Sequence, residues 1–222
     1  VWQRGGRLQV PTRGLLLPVA LLGLSGVFAY NVCFFEGLRR IEAGRAALII
    51  ANNPIGIALG AALFFRERLS ALQAAGILVS IGGAVTVISR GRPETILSGG
   101  IGAGELLILG CVASWVTFSL VGKLVMRLLS PLQATLYAAL VGTAALLPFA
   151  LAEGLPAAWP GYTLRDWICL AYLGLFGTVA GFVWYYQGIR QIDAAKAGVF
   201  INFVPVSALL LGWLMLGEAL TP

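Results

Sequence analysis

The stretch "FFEGLRRIEAGRAALIIANNPIGIALGAALFFRERLS" (34–70) decides the fold when set beside "YYQGIRQIDAAKAGVFINFVPVSALLLGWLMLGEALT" (185–221). The two align without a gap. Gly37 against Gly188 sets the offset at 151 residues, and Arg39 meets Arg190 at the same offset. So do Ile41 and Ile192, Glu42 and Asp193, Arg45 and Lys196, Pro54 and Pro205, Glu67 and Glu218, and Leu69 and Leu220. Upstream, Gly23, Gly26 and Ala29 align with Gly174, Gly177 and Ala180. Chance similarity between apolar segments explains shared Leu and Ala. It does not readily place Gly, Arg, Pro and Glu in one register.

Composition gives these repeats their solvent. Of 222 residues, 59% are hydrophobic and 11% charged, against about 25% charged in soluble domains. Mean hydropathy is +0.91. A helix needs roughly 20 apolar residues to cross the hydrocarbon. Seven runs qualify, at about 15–36, 43–65, 71–89, 101–122, 132–152, 167–187 and 194–216. The run at 43–65 carries nine Leu, Ile or Phe residues. Near the centre of a span they favour insertion by about 3–5 kcal/mol, which its two asparagines erode. The runs do not alternate as barrel strands would. The expected fold is therefore an all-α membrane protein.

The first and sixth runs correspond and stand five helix steps apart, so they cross the membrane in opposite directions. That is an inverted-topology repeat, the organisation of many secondary transporters. Residues 1–97 read as the last three helices of one repeat and 98–222 as the first four of the next. The complete unit is then five plus five helices, with two expected before this chain and one after it. A seven-helix protein complete in itself is the alternative.

The net charge of +6 and pI near 9.7 come from Arg and Lys set between apolar runs. They read as topology signals, and no nucleic acid is expected as partner. Alternate connections carry nine and six basic residues. The positive-inside rule puts the nine-charge side in the cytoplasm, and a plasma (inner) membrane location is expected. Histidine is absent, which removes imidazole-based metal sites and Ser-His triads. Cys33, Cys111 and Cys169 have no metal-ligand spacing. No metal or cofactor is expected, and an enzyme is the least favoured class.

Transport needs polar groups lining interrupted helices near the midplane. Asn31, Asn52, Asn53 and Asn202 are the amides inside apolar runs, and each can donate and accept. Tyr30 lies beside the first of them. Trp115 falls in mid-helix, where an interfacial anchor role is a poor explanation. These six residues are the expected solute cavity. Interhelical hydrogen bonding is the alternative role for the amides. Pro54 and Pro205 each remove a backbone donor and kink their helix. Tyr185 and Tyr186 are read as helix-end residues and Trp167 as an interfacial anchor. Gly56 with Gly60, and Gly177 with Gly181, have the spacing of close helix contacts. The acids sit near helix ends, which leaves Glu36 and Glu105 as the candidates for ion coupling. Glu36 has Gln187 as its repeat partner, which cannot titrate.

The segments "NNPIGIALGAALFFRERLSALQAAGILVSIGGAVTVIS" and "NFVPVSALLLGWLMLGEALTP" resemble the drug/metabolite transporter superfamily, in its EamA-type branch. The resemblance lies in a proline helix, a Glu-Leu/Ala-Ser/Thr turn and a Gly-rich helix. It implies ten helices in two inverted halves, both termini cytoplasmic. The function this implies is alternating-access transport of small organic metabolites, with amino acids or related compounds as the expected class and export a candidate direction. The partners are then a small-molecule substrate and the bilayer, and a homodimer is compatible. A non-transporting membrane module or truncated partner subunit is the alternative function.

Overall fold

The computed structural model describes residues 11–66, 71–88 and 102–203. Helices account for nearly all of them, and no strand occurs among the described residues. In chain order they are α1 (Arg13–Leu38), α2 (Ala43–Ile50), α3 (Asn53–Phe65), α4 (Ala71–Ile88), α5 (Ala103–Val125), α6 (Pro131–Ala152), α7 (Leu164–Ile192) and α8 (Ala194–Val199). A short turn at Leu155–Ala158 leads into α7.

Among the described residues, five segments are long and apolar enough to cross a membrane: α1, α2 with α3 (Arg45–Phe65), α5, α6 and α7. The expected helix at 71–89 is present as the 18-residue α4. The expected seventh helix is described only as far as residue 203. Glu67, Pro205 and Glu218 lie outside the described residues, as does the side chain of Asn202.

Local chemistry explains the boundaries. Ser130 accepts from the Gln133 amide, while the Gln133 side chain accepts from the Ser130 amide, which starts α6 with a capping box. Thr163 and Asp166 build the same device at the start of α7. Pro54 in the first turn of α3 has no N–H to donate, and its ring would collide with the carbonyl one turn back. The helix therefore breaks at Ala51–Asn52.

Element boundaries recur at the sequence offset. α1 begins at Arg13 and α7 at Leu164, both 151 residues apart, as are the starts of α2 at Ala43 and α8 at Ala194. α1 and α7 each contain a π-helical stretch, Gly23–Ala29 and Leu173–Ala180. These end at equivalent residues, and α-helix resumes at Tyr30 and Gly181. Such stretches are rare and usually short. Finding one at the same register in each copy extends the repeat from residue identity to backbone geometry. The second copy of the Pro54 region also changes helix type, through a 3-10 turn at Phe200–Asn202.

Contacts group the chain into two compact units that cut across the two sequence halves. One holds residues 1–28 and 117–191. Its core is the first half of α1 packed on α6, with Leu15, Val19, Leu22, Phe118, Ala134, Ala138 and Tyr186 buried. Glycines permit the close approach. A Cβ on Gly23 would lie 2.5 Å from Val141, one on Gly26 2.1 Å from Phe118, and one on Gly142 2.3 Å from Val27.

The other unit holds residues 29–116 and 192–222. Here Ala46, Ile49, Ile108 and Cys111 form the buried centre, with Tyr30, Cys33, Phe34 and Val112 against it. α8 packs on α3, and Gly198 meets Ile57.

Two glycine expectations divide. Gly56 is a close contact, since a Cβ there would lie 2.5 Å from Val116. Among the described residues Gly177 and Gly181 are not, because the nearest atoms to their added Cβ are Leu173 and Phe176 of their own helix. The four-residue spacing suits packing, but it does not by itself supply a partner helix.

Candidate functional site

The second unit gathers most of the predicted cavity residues. On α1, Tyr30 is half-buried and stacks on Phe34, with ring centroids 5.9 Å apart. Its other neighbour is Trp115 of α5, with centroids 5.5 Å apart and planes at 58°. This tilted geometry suits two aromatic quadrupoles. The Cys111 thiol, one turn from Trp115, donates to the Tyr30 carbonyl at 3.6 Å. Asn31 is half-buried in the next position along α1.

The two adjacent asparagines have different surroundings. Asn52 turns back on its own chain. Its Nδ2 donates to the carbonyls of Leu48 at 2.9 Å and Ile49 at 3.2 Å. Those carbonyls end α2, where helical donors run out. Asn53 is 2% exposed, and its Oδ1 has no hydrogen-bond partner among the described residues. A buried amide oxygen left unpaired costs about 1–3 kcal/mol. One turn beyond it, Gly56 packs on Val116 and Val112. The first turn of α3 therefore abuts α5 beside Trp115, with an open acceptor on its buried side.

The two acids differ as well. Glu36 lies near the end of α1 and pairs with Arg39 at 3.0 Å and with Arg40, the two residues that follow the helix. Both arginines are exposed. The neighbouring guanidiniums give Glu36 a local structural role. Glu105 is 5% exposed and pairs with Arg45 at 2.8 Å. It sits in the first turn of α5, where helix N–H groups favour an anion.

Sequence reasoning missed two features. Arg45 reads as a topology charge, yet its side chain is largely buried against Glu105. The signal was a basic residue at the same register of both copies, Arg45 and Lys196. Tyr185 and Tyr186 were expected at a helix end, but α7 continues to Ile192. Tyr186 is fully buried and stacks on Phe118, with centroids 4.9 Å apart. The Tyr185 hydroxyl shares a 2.7 Å hydrogen bond with Ser119. The signal there was the spacing of Tyr186 and Ile189, both buried. Trp167 does stand near the start of α7, edge-on to Trp159 and Tyr162. Among the described residues, no group of His, Cys, Asp or Glu could hold a metal ion.

Among the described residues this constellation brings together the Tyr30–Trp115 aromatic contact, the buried Asn53 with the half-buried Asn31 and Asn52, and the Arg45–Glu105 ion pair, all set in apolar helices.

Comparison with known proteins gives the site its setting. The EamA-like transporter family matches residues 1–89 and 102–222. Relatives include an uncharacterized transporter of Bacillus subtilis, YyaM, 30% identical over 87% of this chain and 63% of its own length. An uncharacterized transporter of Archaeoglobus fulgidus is 30% identical over 91% of this chain and 70% of its own. A probable terminal-alkyne amino-acid exporter of Streptantibioticus cattleyicolor is 29% identical over 92% of this chain and 66% of its own. The chain thus spans about three fifths of the first two curated relatives, at 63% and 59% of their lengths. A solved crystal structure shares the fold, with a TM-score of 0.68 over 96% of this chain and 73% of that one at 22% identity. Repeated helices, apolar spans and this match over nearly every residue together make the chain a multi-pass membrane protein that belongs to the EamA-like transporter family.

Proposed function

We propose that the full-length protein is a secondary transporter of small organic metabolites, working by alternating access across the plasma (inner) membrane. The observation that carries this is the family match over residues 1–89 and 102–222. The site geometry supports it. Asn53 presents a buried open acceptor where two helices abut, and the broken helix around Pro54 resembles the discontinuous helices of transporter sites. Amino acids or related compounds are the substrate class. The amides and the buried ion pair suit a zwitterion, and one relative is named an amino-acid exporter. Export is the direction we assign.

The ten-helix inverted arrangement belongs to the same reading. The recurrence of helix starts and π stretches at one offset supports it, as does the greater length of the relatives. The first half of α1 has α6 against it, whereas the residues of α7 from Leu164 to Gly177 are exposed among the described residues. By the repeat, the second of two preceding helices would cover that face of α7. A homodimer remains compatible with this arrangement.

The test is flux of each of the common amino acids, labelled, into and out of proteoliposomes of the full-length protein. Saturable flux above empty liposomes is expected, with Asn53→Leu lowering it while the protein still folds. Absence of flux for every one of them contradicts the amino-acid reading.

A further inference from the structure

The Arg45–Glu105 ion pair lies among the groups that suit a zwitterion, yet its two ions already satisfy each other. It joins α2 to α5 at 2.8 Å, with side chains 15% and 6% exposed. Burying each ion costs several kcal/mol unless geometry and hydrogen bonds compensate. A membrane protein that keeps such a pair inside apolar helices has a use for it.

The partners are not equivalent. Glu105 sits in the first turn of α5, whose N-terminal N–H groups favour an anion even without Arg45. Arg45 sits in the first turn of α2, where the same effect opposes a cation. Separating the pair is therefore less favourable for Arg45 than for Glu105. The group Arg45 needs is a carboxylate, which a guanidinium can hold through two parallel hydrogen bonds.

Helical spacing connects the pair to the cavity residues. Glu105, Ile108, Val112 and Trp115 follow one another at three or four residues along one face of α5. Ile108 on that face is buried in the core with Ala46 and Ile49 of α2. Arg45 precedes Ile49 by one turn, and Asn52 follows it. Around the pair, a Cβ on Gly104 would lie 2.6 Å from Ile41, and one on Gly37 2.5 Å from Ile108. The helices are closed tightly over the end of the site where the ions meet.

We propose that Arg45 is the carboxylate-recognition residue of the transport path, and that Glu105 occupies its guanidinium while no solute is bound. A zwitterionic amino acid supplies a carboxylate to Arg45 and an ammonium to Glu105. The exchange changes no net charge and leaves neither ion unpaired. It separates α2 from α5 only when a solute of the right chemistry is present. This inference rests on the amino-acid reading above.

Full-length protein in proteoliposomes tests it, with each amino acid that the wild type carries and the corresponding primary carboxamide as probes. Arg45→Gln should raise KM for the carboxylate about tenfold or more, the factor equal to about 1.4 kcal/mol, and so narrow the wild type's preference for the carboxylate over the carboxamide. Glu105→Gln removes the competing anion and should lower KM for the carboxylate several-fold. Should Arg45→Gln fail to fold, the double variant Arg45→Gln/Glu105→Gln removes both ions, and its carboxylate KM should stay high. A merely structural pair predicts loss of folded protein with KM unchanged and no discrimination between carboxylate and carboxamide. That result overturns the proposal while leaving transport intact. Absence of any amino-acid flux in the wild type instead overturns the amino-acid reading, and this inference with it.

Discussion

The two copies of the repeated long helix share a backbone and differ in their surroundings. In α1, Gly23 and Gly26 are pressed against Val141 and Phe118, and a Cβ at either would overlap the neighbour. At the same register in α7, among the described residues, an added Cβ at Gly174 would meet nothing within 4 Å, and one at Gly177 only Leu173 at 4.0 Å. Both helices carry a π stretch there. The π geometry therefore belongs to the helix itself, while the close packing depends on a partner. In a membrane, helices associate through close packing and hydrogen bonds, since lipid is as apolar as leucine. A glycine-lined face without a facing helix gains none of that.

The strongest way to break this comparison is to fill the glycines. Gly26→Leu collides with the Phe118 ring, which itself packs on Phe182 and Tyr186. It should abolish folded full-length protein, as judged by monodispersity in detergent. Overpacking a filled site costs about 1–3 kcal/mol, sometimes more. Gly174→Leu sharpens it. If a preceding helix covers α7 as α6 covers α1, this variant should damage the full-length protein about as much as Gly23→Leu, by at least about 1 kcal/mol. A thermal midpoint equal to wild type for Gly174→Leu would contradict that covering helix.

Smaller effects come from the hydroxyls beside the same aromatic cluster. Tyr185→Phe removes the 2.7 Å hydrogen bond to Ser119. It should cost about 0.6 kcal/mol, the mean for interhelical hydrogen bonds in membranes, seen as a slight fall in thermal midpoint. Tyr186→Phe should be neutral or slightly stabilising. Its hydroxyl is buried with no hydrogen-bond partner among the described residues, so its removal forfeits nothing and relieves a desolvated group. A marked loss of stability in Tyr186→Phe would reveal a partner for that hydroxyl in the full-length protein.

What could be read from the sequence follows from what repeats. Apolar runs and Pro54 give helices and a helix break, because each rests on local chemistry, and the offset of 151 residues gives the recurring helix starts. The Tyr30–Trp115 contact was legible only in part. Both residues stood out as aromatics inside apolar runs, but their meeting depends on how α1 packs on α5. The different roles of Asn52 and Asn53 were not legible. Asn52 stands in the helix break and Asn53 begins α3, and only the folded backbone says which one meets the carbonyls of Leu48 and Ile49. The Arg45–Glu105 pair was hidden for a similar reason. Its members are sixty residues apart, and each alone looks like an ordinary charge at a helix end.

The central claim, two copies crossing the membrane in opposite directions, is tested most directly by labelling equivalent positions from one side. Thr12 and Thr163 precede α1 and α7 at the same register, and both are exposed. In a full-length protein lacking its other thiols, Thr12→Cys and Thr163→Cys are probed separately with an impermeant maleimide added to intact cells. The account predicts labelling of Thr163→Cys from outside, and of Thr12→Cys only after the membrane is opened. Labelling of both from the same side would contradict it.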